Sequence, residues 1–383
     1  MKIIYYHFFR GDINSGVNKK VLSQVHALNK AGIFSEIFAV AESRNSVPND
    51  LDIRHIQIVE PIRSKNRIIQ LFFREKLING ILSDLIRSLP DDYIIYMRIP
   101  YPSLFSYITM NAPRKCKIII EFQTIEPVEY LKKRIFGYLI LDLFFGRAIR
   151  RHMDALVGIT NEITRYELSR CGNPQIPHIT IGNGFDVQSV PERLAPLFSG
   201  TELDLLFVAH IGAWHGLDRL LKGMSDYRGL VKIHLYIAGD GEGLSRLKVM
   251  VRDLGIQDQV FFVGFTSGKD LDSLFNHCHI AVGSLGLHQL GLHEASTLKL
   301  REYCSRGIPF IYECADPDFP EDFPYSYIIP SDDSQLSIST VITFISCIYE
   351  DPTHPRKMRE YAQRHLEWSE KMGQLKNFLL QRM

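Results

Sequence analysis

Residues 291–309 read GLHEASTLKLREYCSRGIP, and this segment is the most informative part of the sequence. It predicts a short helix that Gly307 ends, because glycine adopts the left-handed backbone of a helix C-terminus, and that Pro309 prevents from continuing. Glu294 then lies just before the helix and Glu302 on its second turn. Two carboxylates therefore flank a single helix N-terminus.

The predicted helix start is suited to bind an anion. Ser296 or Thr297 caps it, and the amides near Leu298 have no partner within the helix. Together with the positive end of the dipole and the charge of Lys299, they favour a diphosphate. Thr297 and Glu302 are ~7.5 Å apart along the axis, which matches the reach from a phosphate to the ribose hydroxyls of one nucleotide. The alternative is an ordinary surface helix with its Glu and Lys in ion pairs.

In the rest of the chain, short apolar runs alternate with segments of helical period, and this pattern occurs twice. It predicts an α/β fold with parallel sheets covered by helices. At ~100–200 residues per domain, a chain of 383 residues predicts two domains. We expect a first domain over 1–185, a second over 186–360, and a last helix within 361–383 that returns toward the first domain. The predicted strands are 3–9, 36–40, 94–97, 117–121, 155–159, 179–181, 205–209, 233–238, 260–263, 280–283 and 310–312.

Glycines and acids follow several of these runs. Gly16 closes a loop after the first strand, before a periodic segment, and that loop either holds phosphate or only makes the turn. The cluster at 237–243 repeats the arrangement and favours the turn. Glu121 ends another predicted strand and Glu126 follows it, at the edge where parallel sheets gather their ligands. Either glutamate orients an acceptor hydroxyl or has a capping or turn role.

The two glutamates followed by Gly-Ile-Pro resemble the paired-glutamate motif of family 4 retaining glycosyltransferases, of the type that builds bacterial surface polysaccharides. That family has the GT-B fold, in which two Rossmann-like domains with parallel sheets face each other across a cleft. Further motifs fall in the family's order along most of the chain. They are GVNKK at 16–20, IGNG at 181–184, AWHGLDRL at 213–220, AGDG at 238–241 and VGF at 263–265.

This resemblance implies a nucleoside diphosphate sugar as donor and no metal or other cofactor. It assigns Glu302 to the ribose, Glu294 to the donor sugar, and the amides near Ser296, Thr297 and Leu298 to the diphosphate. A glycan or lipid-linked acceptor would bind the first domain. The remaining family positions are Gly264, Phe265 and Thr266 in the base-contacting loop and Gly16 in the loop of the first domain that meets the phosphates.

The chain departs from the family at one position. Many members have a lysine before the glycine of the Trp-His-Gly segment and an arginine upstream, which stabilise the leaving diphosphate, whereas this chain has His215. The candidates for that role are Lys299, the helix dipole and His215. Alternatively, His215 is an ordinary surface histidine. The catalytic set is therefore Glu294, Lys299, Glu121 and His215.

Charge divides the chain. Residues 1–185 contain 25 Lys and Arg against 17 Asp and Glu, a net +8, although the whole chain is only +1. An anionic partner for the first half is indicated. Two stretches, 63–76 and 132–151, are basic and apolar together. Either they lie on a membrane surface or they are helices that cover the sheet.

Other classes are disfavoured. Six dispersed cysteines without a C-x-x-C pair, no signal peptide and no apolar span of ~20 residues predict a cytoplasmic protein, peripheral at most to the inner membrane face. Asp316-Pro-Asp318 predicts a turn, and the histidines at 288 and 293 predict no zinc site. No module for nucleic acid is present. A sugar-nucleotide epimerase of the same fold and a non-catalytic nucleotide-binding subunit remain as alternatives.

Overall fold

The computed structural model of the chain describes residues 1–9, 16–48, 55–60 and 66–383, without the side chains of residues 67 and 68. These residues form two compact units. The first combines Met1–Gly182 with Trp368–Met383, and the second is Asn183–Glu367. Residues 183–185 and 361–367 therefore belong to the second unit.

In the part of the first unit that the structure describes, seven parallel strands form one sheet in the order β3-β2-β1-β4-β5-β6-β7. The order reverses direction on either side of β1, as in doubly wound folds. The strands are β1 Lys2–Phe9, β2 Phe34–Ala41, β3 His55–Ile58, β4 Tyr93–Arg98, β5 Lys117–Phe122, β6 Ala155–Gly158 and β7 His178–Thr180.

Helices connect these strands. The segment between two of these helices, Asp142–Gly146, is a π-helical turn. The helices of the first unit that precede the second unit are α1 Gly16–Lys30, α2 Arg67–Ser88, α3 Leu104–Met110, α4 Glu126–Lys132, α5 Phe136–Leu141, α6 Arg147–Arg151 and α7 Asn161–Cys171.

The second unit has a sheet of six parallel strands within the described residues, in the order β10-β9-β8-β11-β12-β13. Its strands are β8 Glu202–Val208, β9 Lys232–Ala238, β10 Val260–Gly264, β11 Ile280–Val282, β12 Phe310–Tyr312 and β13 Ser326–Ile328. Its helices are α8 Leu217–Asp226, α9 Leu244–Asp253, α10 Gly268–His277, α11 Leu298–Arg306, α12 Ile338–Tyr349 and α13 His354–His365. The predicted α/β class with two parallel sheets is confirmed.

The last helix, α14 (Trp368–Arg382), packs on the first unit. Its stripe of Trp368, Met372, Leu375 and Leu379 is buried in the same core as β1 and α1. The i, i+4, i+7, i+11 spacing places these side chains on one helix face. The apolar face of this last helix thus covers the first sheet.

Candidate active site

Helix α11 begins as the sequence predicts, but its cap differs. Neither predicted residue caps it with its side chain: Ser296 Oγ accepts a hydrogen bond from the Asn183 amide at 2.7 Å, and Thr297, at the N-cap position, makes no cap hydrogen bond. The Thr297 hydroxyl is buried without a hydrogen-bond partner among the described residues. The amides of the first turn and this hydroxyl therefore remain open to a ligand.

Lys299 adds a cation to this helix start. Its ammonium lies 4.7 Å from the centre of the Phe207 ring and donates to Ser284 Oγ at 3.3 Å. Within the described part of the chain, it forms no ion pair with a carboxylate. Burial lowers the pKa of Lys299 to about 7. An anion that binds beside it would favour the charged form and raise that pKa.

His215 is buried, so the alternative of a surface histidine is wrong. Its Nδ1 accepts a hydrogen bond from the Gly212 amide at 3.0 Å. Burial first and the nearby Lys299 charge second lower the pKa of His215 to about 2. The imidazole is therefore neutral at physiological pH, with its proton on Nε2 as a hydrogen-bond donor. It does not supply a positive charge.

Glu302 lies on the second turn of α11 and is partly exposed, at 23% of its side chain. Its Oε1 accepts a hydrogen bond from Arg306 Nε at 2.9 Å. Arg306 is itself held by Asp272 at 2.7 Å and lies over the Phe275 ring. Arg306 thus fixes Oε1 of the Glu302 carboxylate, and this contact limits where the second oxygen, Oε2, can lie.

Glu294 is held through its backbone. It forms an isolated parallel bridge with Ala315, supported by a hydrogen bond of 2.9 Å from the Ala295 amide to the Ala315 carbonyl. The segment before α11 is therefore anchored to the chain that follows β12. This pairing fixes the position of Glu294 relative to the helix start.

A buried ion pair that the sequence did not predict fixes the other side of α11. Asp316 and Asp318 both bind the guanidinium of Arg301, whose Nε donates to the Asn183 carbonyl at 2.9 Å. Asp316-Pro-Asp318 is thus more than the predicted turn, because it neutralises a fully buried arginine. The sequence spacing of the two aspartates was the only signal of this interaction. It did not identify Arg301 as their partner.

The glycines of the second unit have two different roles. A Cβ on Gly239 would lie 1.9 Å from the Ala209 carbonyl oxygen, so this glycine allows close packing, as the turn interpretation predicts. Gly264 has a φ of +77° and open space around it. The following Phe265 is 77% exposed, and Thr266 Oγ1 donates to the Gly264 carbonyl at 3.1 Å. This loop offers an aromatic face to solvent.

In the first unit, Glu121 is the residue before the last of β5 and so lies near the carboxyl end of that strand. It is buried and forms an ion pair with Lys20 at 3.1 Å. It also accepts hydrogen bonds from Gln24 at 3.1 Å and from Tyr5 at 3.4 Å. Its carboxylate therefore joins β5 to α1 and β1. Gly16 begins α1 and is exposed, while the loop before it lies outside the described residues.

A cavity of about 390 Å³ opens at the carboxyl ends of β1, β4 and β5. Its polar lining includes Asn18, Asn79, Arg98, Glu126 and Tyr130. Asn79 Oδ1 and Glu126 Oε2 are buried without hydrogen-bond partners among the described residues. Burial, followed by the charge of Glu167, raises the pKa of Glu126 to about 8. The cavity thus contains polar groups that a ligand can satisfy.

The described residues contain no cluster of three or more His, Cys, Asp or Glu side chains placed to hold a metal ion. Within the same ranges, no helix combines the length and the apolar character needed to cross a bilayer. His288 instead binds Glu313 at 2.7 Å and Asp333 at 2.9 Å.

Part of the second unit is similar to a known protein family. Residues 192–323 match the family model described as Glycosyl transferases group 1. This range includes Lys299, Glu294, Glu302 and His215. Comparison with curated sequences gives no match.

Solved structures match the whole chain. Lipopolysaccharide outer core galactosyltransferase WaaB, in its apo form, is 16% identical with a TM-score of 0.65, and 100% of each chain is covered. Sucrose-phosphate synthase from Thermosynechococcus elongatus is 17% identical with a TM-score of 0.66 over 99% of this chain and 98% of that one. Anabaena HepE in complex with UDP-glucose is 12% identical with a TM-score of 0.62 over 100% of both.

At such identities the likeness shows the fold, and the predicted GT-B fold is confirmed. Residues 192–323 of the second unit additionally match the family model. This chain therefore has the GT-B fold, and part of its second unit is similar to the Glycosyl transferases group 1 family.

Proposed function

We propose that this protein is a retaining hexosyltransferase of family 4 that moves a sugar from a nucleoside diphosphate sugar to a hydroxyl of a glycan or lipid-linked saccharide. The start of α11 carries the proposal: open amides, an unsatisfied Thr297 hydroxyl and the Lys299 ammonium converge there. Such a site favours a dianionic group, because an anion satisfies the open donors and pairs with the ammonium. The Glycosyl transferases group 1 match supports the assignment.

Neighbouring residues would bind different parts of the donor. The diphosphate would bind the amides near Ser296, Thr297 and Leu298, with the ribose on Glu302 Oε2. Glu294, fixed on the other side of the helix start, would accept hydrogen bonds from the sugar hydroxyls.

Two further segments would complete the donor site. The exposed ring of Phe265, between Gly264 and Thr266, is suited to contact the base. Gly16, which begins α1, keeps the phosphate-contacting role that the resemblance implies.

Departure of the diphosphate requires stabilisation of the negative charge that develops on it. Lys299 supplies the positive charge, and the neutral His215 supplies a hydrogen bond from Nε2. This division compensates for the lysine that the chain lacks before Gly216. The proposal requires no metal ion.

We place the acceptor in the cavity of the first unit. Its size suits a sugar residue, and Asn79 and Glu126 present unsatisfied polar atoms to it. With a pKa of about 8, Glu126 exchanges a proton near neutral pH, as an acid–base residue must. Glu121 would act by positioning, since its partners are Lys20, Gln24 and Tyr5.

Calorimetry with UDP, GDP and ADP tests the donor site. Glu302→Ala removes a charge-assisted hydrogen bond to the ribose and should weaken binding of the preferred nucleotide by roughly 10- to 100-fold. Glu321→Ala, an exposed glutamate of the same unit, is the matched control and should change nothing. Unchanged affinity in a folded Glu302→Ala variant contradicts our placement of the ribose.

Mass spectrometry with labelled nucleotide sugars and saccharide acceptors tests the reaction. We expect nucleoside diphosphate release together with acceptor glycosylation. An epimerised nucleotide sugar without transfer would identify an epimerase. Binding without any product would identify a non-catalytic subunit.

We also propose a cytoplasmic location at the inner face of the membrane, in surface polysaccharide synthesis. All six cysteines are free, five of them buried, as in proteins kept under reducing conditions. A lipid-linked acceptor would be reached there.

A further inference from the structure

One face of the first unit exposes an unusual number of large apolar side chains. We call it the apolar face, and it consists of Phe72, Leu104, Ile108, Phe136, Leu143 and Phe144. Their exposed fractions are 54%, 51%, 51%, 53%, 72% and 75%, respectively. Single exposed apolar residues need no explanation, whereas a group of this size indicates a binding surface.

Ring contacts join the elements that carry this face. Phe72 of α2 contacts Phe105 of α3 at a centroid distance of 5.0 Å. Tyr107 of α3 contacts Phe145 of the π-helical turn at 5.8 Å. The elements α2, α3 and the turn at 142–146, which carry the exposed apolar side chains, are therefore neighbours in the first unit.

The sequence left two alternatives for the basic and apolar stretch 132–151, and the structure distinguishes them. A helix that covers a sheet buries its apolar stripe, but α5 has no buried residue. The adjoining π-helical turn buries only Asp142 and Gly146 and exposes its leucine and a phenylalanine. These apolar residues have no covering role in the first unit. The other stretch, 63–76, lies partly outside the described residues.

Exposed cations lie beside these apolar residues along the chain. Lys132, Lys133 and Arg134 are all exposed, within a run of seven exposed residues at 131–137. Arg147 and Arg151 are exposed as well. Arg150 does not contribute, because it is buried against Asp142, Glu126 and Glu167. Arg134 has a φ of +55°, because it follows the C-cap of α4 at the position where a left-handed residue commonly ends a helix.

We propose that the apolar face and these cations dock the first unit on an anionic phospholipid bilayer. The apolar side chains would enter the acyl boundary, and Lys132, Lys133 and Arg134 would contact the lipid phosphates. A second copy of this chain is disfavoured as occupant, because a two-fold contact would bring the same five cations toward one another. The proposal rests on the membrane location proposed above and names the residues that would bind lipid, and it concerns lipid binding by the free protein rather than sugar transfer.

Co-sedimentation of the full chain with phosphatidylglycerol and phosphatidylcholine vesicles, without nucleotide or acceptor, tests the proposal. We expect binding to the anionic mixture and much weaker binding to pure phosphatidylcholine. The triple variant Lys132→Gln, Lys133→Gln, Arg134→Gln should lose roughly 100-fold in affinity for anionic vesicles. The double variant Leu143→Ser, Phe144→Ser should lose at least roughly tenfold.

Matched variants on the second unit control for general effects. Leu197→Ser with Leu230→Ser removes two leucines that are 94% and 100% exposed. Lys222→Gln with Lys232→Gln and Arg252→Gln removes three surface cations. Both variants should bind vesicles like the wild type. Equal losses in these controls would overturn the proposal.

Depth is measured with Phe144→Trp. Brominated lipids should quench its added fluorescence relative to the wild type, which has only Trp214 and Trp368. Absence of both vesicle binding and quenching overturns the proposal, and so does a dimer in solution that depends on Phe144. Because no sugar donor is present, either result is independent of whether the protein transfers a sugar.

Discussion

Lys299→Met removes the one cation that we assign to the diphosphate. At ~4 Å and an effective dielectric constant of about 20, the attraction between the ammonium and one phosphate charge is about 4 kcal/mol. Part of this is offset by the lost hydration of both groups. We therefore expect nucleoside diphosphate affinity to fall roughly 100- to 1,000-fold.

The uptake of protons on nucleotide binding measures the same interaction independently. With a pKa of about 7, only about a tenth of Lys299 is charged at pH 8 in the free protein. A bound diphosphate restores the charge, so binding should take up about 0.9 proton. Affinity should accordingly fall as pH rises above 7.

Titration calorimetry at pH 8 in buffers of different ionisation enthalpy measures both quantities. Lys248→Met is the matched control, because Lys248 is exposed and lies 5.5 Å from the ring of Phe262 on the same unit. The reasoning is refuted if Lys299→Met binds like the wild type, or if the wild type takes up no proton.

Three further predictions concern Glu126, Gly216 and His215. Folded Glu126 keeps a proton up to a pKa of about 8 that the unfolded chain releases above its ordinary value of 4.5. Stability should thus fall between pH 4.5 and 8 by up to about 1.4 kcal/mol per pH unit, and Glu126→Gln should remove that slope in urea unfolding. Gly216→Ala places a Cβ 2.4 Å from the Leu285 carbonyl carbon at a φ of +62°, so thermal unfolding should show a loss of about 2–4 kcal/mol. Gly255→Ala, at +69° in open space, should cost only about 1 kcal/mol; equal losses would contradict the steric argument. His215→Phe should lower kcat roughly tenfold or more without a new pH dependence between pH 5 and 9, since the pKa of His215 is about 2.

The central strands were predictable because they are continuous apolar runs. Two edge strands were not. β3 has the sequence HIQI and is largely exposed, and β13 has three half-buried residues. An edge strand is covered on fewer sides, so its residues need not be apolar, and the pattern that identifies a buried strand is absent.

The candidate site shows the same division between local and distant interactions. The positions of Lys299 and Glu302 on α11 were predictable because a single helix sets their spacing. The partner of Ser296 is Asn183, 113 residues away, and the partner of Glu121 is Lys20. Such pairs depend on how the sheet is assembled, and no local sequence pattern indicates them.

The burial of His215 was missed for a related reason. Its environment comes from Phe207 of β8, whose ring lies 5.1 Å away, and from the loop after β11, whose Leu285 amide donates to the His215 carbonyl. A histidine beside a glycine predicts neither burial nor exposure. Only the packing of the two loops excludes water from the ring and lowers its pKa.

A crystal structure of the protein with its preferred nucleoside diphosphate tests the central claim most directly. Our account predicts diphosphate oxygens within hydrogen-bond distance of the first α11 amides and of Lys299 Nζ, with a ribose hydroxyl on Glu302 Oε2. A nucleotide bound away from α11, with Lys299 still directed only at Ser284 and Phe207, would contradict it.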